Sequence, residues 1–277
     1  MSECNHNCEE CAKKKDGKCD GHHDFRVEPN AKAHIKKVIA VMSGKGGVGK
    51  SLVTELLAVG AAKRGLKTAI LDADITGPSI PTAFGVTERA VADGEGNVLP
   101  CRSECGIGMM SLNLLVENPA DPVVWRGPVI AGAVKQFWAD VAWGDVDVMF
   151  VDMPPGTGDV PLTVFQALPI AGVVIVTSPQ DLVSLIVEKA VRMADMMKIP
   201  VVGLVENMSE FRCPDCGKVH RIFGEGKAKE IAANHGIKAF ASLPIDPQLA
   251  AAVDAGKIEW ADTSALEAIL DVEELRG

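Results

Sequence analysis

Hydrophobic residues in this chain gather in short, nearly unbroken runs. VIAVMS (38–43), KTAILD (67–72), DVMFVD (147–152), GVVIVT (172–177), PVVGLV (200–205) and a last segment at 238–242 each read as a strand. Continuous rather than alternating apolarity marks strands buried on both faces, as in a parallel sheet. Between the runs, apolar residues fall at helical spacing over 50–64, 128–140, 159–167, 181–197, 224–234, 246–255 and 263–275. Strands alternating with helices predict an α/β fold: a doubly wound, mostly parallel sheet with helices on both faces. Residues 85–127 are broken by Gly and Pro and predict an insertion or an irregular edge. The first 34 residues have almost no apolar side chains and predict a tail that does not fold by hydrophobic burial. The expected organisation is therefore a cysteine-rich tail at 1–34 and one domain over 35–277.

Composition narrows the function. The chain has 277 residues, 47% hydrophobic and 23% charged, which excludes wholesale disorder and a coiled coil. The net charge of −9 is uneven: residues 1–37 carry 8 basic and 7 acidic groups, and residues 38–277 carry 20 and 30. A body at −10 is a poor partner for DNA or anionic membrane. With 4% aromatics and no Tyr, stacking platforms for single-stranded nucleic acid are not expected. No apolar run approaches the roughly 18–20 residues that cross a bilayer, and no apolar segment follows the start as in an export signal. The expected location is the cytoplasm, where paired cysteines read as metal or redox groups before disulfides.

Residues 44–51 read GKGGVGKS, directly after a strand and opening a helix. This is a phosphate-binding loop in its required context. Gly44, Gly46, Gly47, Val48 and Gly49 would curl the backbone so that N–H groups cradle a phosphate at the helix N-terminus. Lys50 is expected to neutralise the terminal phosphates and Ser51 to ligate Mg²⁺. Lys45, a second lysine inside the loop, resembles the signature lysine of the deviant P-loop subclass that includes MinD, ParA and the nitrogenase iron protein. That resemblance implies ATP as substrate and a Lys45 that reaches across a homodimer to the partner's nucleotide. Asp72 and Asp74 end the second strand and Asp152 ends a later one, so both strands deliver acids to the loop's edge of the sheet. By the same resemblance Asp152 is the Walker B acid, Asp72 supports it and Asp74 orients the attacking water. Gly156 would offer its N–H to the γ-phosphate, Asn207 would bond adenine, and Leu243–Asp246 would close over the base.

The eight cysteines fall into three groups. Cys213 and Cys216, in RCPDCG, form a C-x-x-C pair that supplies two of the four ligands wanted by zinc or a 4Fe–4S cluster. Cys101 and Cys105 of the same chain could complete a ribbon-like site, or the same pair from a second copy could do so across a two-fold axis. Cys4, Cys8, Cys11 and Cys19 crowd four thiols into the tail and read as a second metal site. From about residue 35 to 277 the chain resembles the Mrp/ApbC family of iron–sulfur cluster carrier ATPases. The residues that carry this are SGKGGVGKS (43–51), LDADITGPS (71–79), WRGP (125–128), DMPPGTGD (152–159), ENMS (206–209) and CPDCG (213–217). The resemblance implies a labile 4Fe–4S cluster held by Cys213 and Cys216 of two protomers, a cluster donor and apo-protein acceptors. It leaves the tail's group open between a second cluster and zinc. The competing class is a positioning ATPase of the MinD/ParA type with a structural zinc; the acidic C-terminus, SALEAILDVEELRG, does not suit the basic membrane helix such proteins use.

Overall fold

A computed structural model describes residues 25–75, 77–116, 125, 127–180 and 183–276. The tail cysteines Cys4, Cys8, Cys11 and Cys19 lie outside the described residues. Eight strands form one sheet: β1 (Ala33–Ser43), β2 (Thr68–Asp72), β3 (Cys101–Arg102), β4 (Gly108–Met110), β5 (Gly144–Asp152), β6 (Ile170–Thr177), β7 (Val201–Glu206) and, last in the chain, β10 (Ala239–Ser242). Their order is β10-β7-β6-β1-β5-β2-β4-β3, and every pairing is parallel except the terminal β3–β4. A separate two-stranded hairpin, β8 (Phe211–Arg212) and β9 (Val219–His220), carries the C-x-x-C loop.

Period-two alternation along β1 explains the two-sided packing. Val38, Ala40 and Met42 enter one core with Met149, Val151 and Ile175. Ile39 and Val41 enter the other with Ile70, Phe150 and Val174. The first core is closed by α3 (Gly127–Ala139), α4 (Asp159–Ala167) and α5 (Val183–Met196), with Trp138 and Trp143 among its largest buried side chains. The second is closed by α1 (Lys50–Lys63) and by the C-terminal segment, whose Ile258, Leu266, Ile269, Leu270 and Leu275 are buried. Val27 already belongs to the body: its N–H donates to the Ala167 carbonyl and its carbonyl accepts the Trp138 indole N–H.

The expected doubly wound α/β sheet is the observed fold. Residues 85–127 contribute two short strands, β3 and β4, at the end of the sheet, the irregular edge expected there. Two local expectations change. The helix expected over 224–234 starts at α6 (Ala228–Asn234), after glycines at 224 and 226. The helix expected over 263–275 is broken into 3₁₀ turns flanking α8 (Glu267–Leu270). There the backbone turns extended at Val272, which brings Leu275 back onto the sheet. The remaining helices are α2 (Ile80–Ala83) and α7 (Pro247–Asp254), the latter capped by Asp246 Oδ1, which accepts the Gln248 N–H at 2.8 Å.

Candidate functional site

Register places the chemistry in one row. Asp72 pairs with Asp152, Val41 with Asp152, Ser43 with Val176 and Thr177 with Glu206, so β2, β5, β1, β6 and β7 all end at one edge. The loop 44–49 leaves β1 at that edge and turns into α1. Gly47 and Gly49 have φ of +79° and +81°, the left-handed region that glycine enters without steric cost. Gly49 is constrained twice, because a Cβ there would sit 2.1 Å from Asn207 Nδ2.

Behind the loop, Lys50 is almost fully buried and stands 2.7 Å from Asp152 Oδ2 and 3.5 Å from Asp74 Oδ2. Asp152 also accepts the Ser51 hydroxyl at 2.6 Å and the Thr54 hydroxyl at 2.8 Å. Asp72 accepts the Ser111 hydroxyl at 2.8 Å and the backbone N–H of Asp74 at 3.1 Å. The structure thus brings Lys50, Ser51, Asp72, Asp74 and Asp152 together. Gly156 has φ +92°, and its N–H donates to the Ser43 carbonyl at 2.8 Å. Asn207 is buried; its Nδ2 donates to the Val48 carbonyl at 3.0 Å and its Oδ1 accepts the Met208 N–H. An amide nitrogen has two protons, so one donor of Asn207 is left beyond the bond to the loop. Lys45 donates to Gln180 Oε1 of its own chain, in the loop after β6.

Sequence reasoning missed Glu55, Thr54, Ser111 and Gln180. Glu55 lies on α1, 1% exposed, and its Oε2 has no hydrogen-bond partner among the described residues. Burial, and then the charges of Asp152 and Asp72, push its carboxyl well above the usual range. Asp72 is pushed up to about 8, first by burial and then by Asp152. Three buried carboxyls thus face one buried lysine. The Ser51 hydroxyl beside the Asp152 carboxylate, both oxygen donors, fits a hard divalent cation that keeps most of its waters, such as Mg²⁺.

A stability prediction follows. Folded Asp72 keeps its proton between about pH 4 and about pH 8, where the unfolded chain has lost it, so stability should fall as pH rises through that window. In metal-free buffer Tm is expected to drop between about pH 5 and about pH 8.5, and Asp72→Asn to flatten the drop. A Tm that rises over that range would contradict the assignment.

The C-x-x-C pair lies on the β8–β9 hairpin, which follows β7 and Asn207 in the chain. Cys213 N–H donates to the Lys218 carbonyl and Gly217 N–H to the Cys213 carbonyl, both at 2.9 Å, and Gly217 has φ +70°. This tight turn aims the Cys216 and Asp215 backbone N–H groups and the Cys216 thiol at the Cys213 sulfur, lowering the Cys213 thiol from its ordinary range. A thiol that deprotonates readily is the form that binds metal. Beside the hairpin, a groove of about 550 Å³ is walled by Phe211 and Pro214 on one side and Pro244, Ile245 and Pro247 on the other. The larger cavity, about 690 Å³, opens at the opposite edge of the sheet among His34, Lys36, Trp138 and Asp145, away from every P-loop residue.

Of the two completions the sequence allowed, the one within the chain is not formed: Cys101 and Cys105 do not join Cys213 and Cys216, since β3 is the far edge strand, six strand spacings from β7, or about 29 Å. Among the described residues no group of three or more potential metal ligands forms. Cys101 is a core residue whose thiol is raised by burial; Cys105 is exposed, and its backbone N–H donates to the Glu259 carboxylate.

Comparison with known proteins decides the family. The profile of the NUBPL iron-transfer P-loop NTPases, within the ParA group, matches residues 34–274. The chain belongs to this family of P-loop NTPases. The iron-sulfur cluster carrier protein of Clostridium perfringens is 45% identical over 266 residues, 91% of this chain and 93% of that one. The carrier of Methanocaldococcus jannaschii is 41% identical, covering 92% and 90%. A nucleotide-binding protein from Archaeoglobus fulgidus, solved in complex with ADP and with Co, superposes with a TM-score of 0.77 at 44% identity, covering 87% and 94%. The septum site-determining protein MinD of Pyrococcus horikoshii shares the fold at TM-score 0.57 and 20% identity, covering 84% and 93%. Among the described residues no helix is long and apolar enough to cross a membrane.

Proposed function

We propose that this protein is an ATP-hydrolysing carrier that binds a 4Fe–4S cluster between the Cys213/Cys216 pairs of two protomers and passes it to apo-proteins. The observation that carries the reading is the join between the two sites. The strand that ends at Glu206 is followed by Asn207, bonded to the P-loop, and the chain runs within six residues of it into the hairpin whose two thiols converge. A pair of convergent thiols is half of a cluster's ligand set, and a two-fold axis supplies the other half. The names of relatives 41–45% identical support the cargo.

In the nucleotide site, the 44–49 backbone holds the phosphates and Lys50 neutralises them, exchanging its pairing with Asp152 and Asp74 for the phosphate oxygens. Ser51 and Asp152 hold Mg²⁺, which screens phosphate charge when bound, with Asp72 as support. Asp74 orients water. Lys45 acts on the partner's nucleotide once released from Gln180, Gly156 reports the γ-phosphate once its N–H leaves the Ser43 carbonyl, and Asn207 bonds adenine. The tail is a separate unit only up to the point where Val27 joins the body, and in it Cys4, Cys8, Cys11 and Cys19 hold a second cluster or zinc. The protein works in the cytoplasm, between a cluster donor and its acceptors.

Anaerobic reconstitution with iron and sulfide tests this. Brown protein with a 4Fe–4S Mössbauer signature and transfer to an apo acceptor is the expected result. Colourless protein holding stoichiometric zinc would overturn it.

A further inference from the structure

Glu206 is a buried carboxyl that the nucleotide chemistry does not use. It ends β7 immediately before Asn207, is 8% exposed, and its Oε2 has no hydrogen-bond partner among the described residues. The carboxyl fills the space that a Cβ on Gly226 would take, where that atom would overlap both Cδ and Oε2. Burial raises the Glu206 carboxyl, while the Ala228 backbone N–H and the nearby Arg221 guanidinium draw it back toward the charged form. Arg221, Gly226 and Ala228 all lie on the arm that returns from the β8–β9 hairpin to α6. The backbone beside Glu206 holds the other arm. Ser209 donates its N–H and its hydroxyl to the Leu243 carbonyl, both at 3.0 Å, and the Glu210 carbonyl accepts the Ile245 N–H at 2.7 Å. The Glu206 carbonyl itself accepts the Leu243 N–H at 2.9 Å. The outgoing arm is thus stitched to Leu243–Asp246, the segment expected to close over the base, and Asn207 between them is bonded to the P-loop. Met208, at φ +58°, turns the chain sharply at this junction.

We propose that Glu206 is a positioning residue for cluster transfer: it seats the returning arm of the C-x-x-C hairpin on the strand end that carries Asn207, so that nucleotide bound at Asn207 and Leu243–Asp246 shifts both arms, and with them both thiols, together. This deepens the carrier reading and rests on it. A hairpin held by its outgoing arm alone would pivot about Phe211. Held by both arms at one strand end, it moves as a body, which is the packed two-arrangement element that coupling between sites requires. Gly226 is the matching half of the device, since any side chain there would evict the carboxyl from its seat. These contacts are buried within one chain, so a second copy sharing the cluster does not displace them.

The test uses the full chain and three variants. Glu206→Ala removes the carboxyl, Gly226→Ala drives it from its seat, and Glu206→Gln keeps its shape and an acceptor oxygen for the Ala228 N–H. After anaerobic reconstitution, iron content, ATP KM and the initial rate of transfer to a 4Fe–4S apo-ferredoxin are measured, the last with and without Mg²⁺ and ATP. In the wild type ATP is expected to change the transfer rate by ~5-fold or more. Glu206→Ala and Gly226→Ala should each bring that ratio to within ~2-fold of one, while iron content and ATP KM stay within ~2-fold of wild type. Glu206→Gln should retain most of the wild-type ratio. A wild-type ratio of one, variants that keep the wild-type ratio, or variants that lose iron and ATP response together, as a merely structural role would dictate, would each overturn the proposal. The coupling is also read without a cluster, on iron-free protein, as the rate at which iodoacetamide alkylates Cys213 and Cys216 with and without Mg²⁺ and a non-hydrolysable ATP analogue, followed by peptide mass spectrometry. Failure of the wild type to take up iron would sink the carrier reading, and the alkylation ratio would still decide Glu206: a nucleotide response lost in Gly226→Ala supports the assignment, and no response in the wild type overturns it.

Discussion

Lys50→Ala is expected to cut ATP turnover by ~10²–10³-fold or more, since it removes a buried cation aimed at the developing phosphate charge. It should also destabilise the protein, which Lys45→Ala should not. Lys50 is packed against Asp152 and Asp74, with Glu55 and Asp72 buried close by. Removing one partner of a buried pair costs about 3–5 kcal/mol, because the other charge is left without compensation. The loss should be largest at alkaline pH, where Asp72 also gives up its proton, and millimolar Mg²⁺ should recover part of it. Lys45 is only half-buried, and its side chain bonds the exposed Gln180, so Lys45→Ala should leave the unfolding free energy within about 0.5 kcal/mol of wild type. Its turnover should nevertheless collapse. On the proposed trans role, mixing Lys45→Ala with an Asp74→Ala variant should restore part of the turnover that each lacks alone, since each mixed pair holds one intact composite site. Turnover measured alongside calorimetry checks both variants. A stable, fully active Lys45→Ala protein would remove the trans role.

The sheet and the P-loop were legible because their signals are local. A strand buried on both faces announces itself by an unbroken apolar run, and GKGGVGKS between a strand and a helix fixes its own geometry. Asp72 and Asp152 could be placed on one edge because parallel strands share a direction, and the β2–β5 register sets them opposite each other. Glu55 was not legible. In a helix packed on one side, a glutamate among leucines reads as the solvent face. Here α1 is enclosed by the sheet on one side and by the 258–275 segment on the other, and Val53 through Ala61 are all buried. That enclosure is a long-range fact without a trace in the local period. The β8–β9 hairpin was invisible for the opposite reason: two-residue strands carry no pattern. Gln180 shows the same limit, since a polar loop residue gains meaning only when β6 is found beside β1.

Cys213→Ala and Cys216→Ala should each abolish the shared cluster while leaving nucleotide binding intact. The experiment needs a background in which Cys4, Cys8, Cys11 and Cys19 are serine, so that iron on the tail does not mask the loss. In that background the wild-type pair is expected to bring about four irons per dimer, and either single variant close to none. One substitution removes two of four ligands, because the two-fold axis applies it to both protomers. Loss of the cluster by either variant is expected of a bridging site and of a site completed within one chain alike; a Cys101 variant separates the two, because the latter would draw on Cys101 and Cys105. Those two belong to the opposite edge of the sheet, so Cys101→Ala should leave iron unchanged and cost only the stability of a small core side chain, about 1 kcal/mol. Nucleotide affinity should survive in all of these variants, since Asn207 and the P-loop are bonded to each other and not to the hairpin thiols. ATP turnover is the discriminating quantity that remains. If the hairpin and the nucleotide edge move as one through the short link from Asn207 to Phe211, the cluster-free variants should hydrolyse ATP at a rate different from the loaded wild type. Equal rates would mean that the two sites share a chain without sharing a conformational equilibrium.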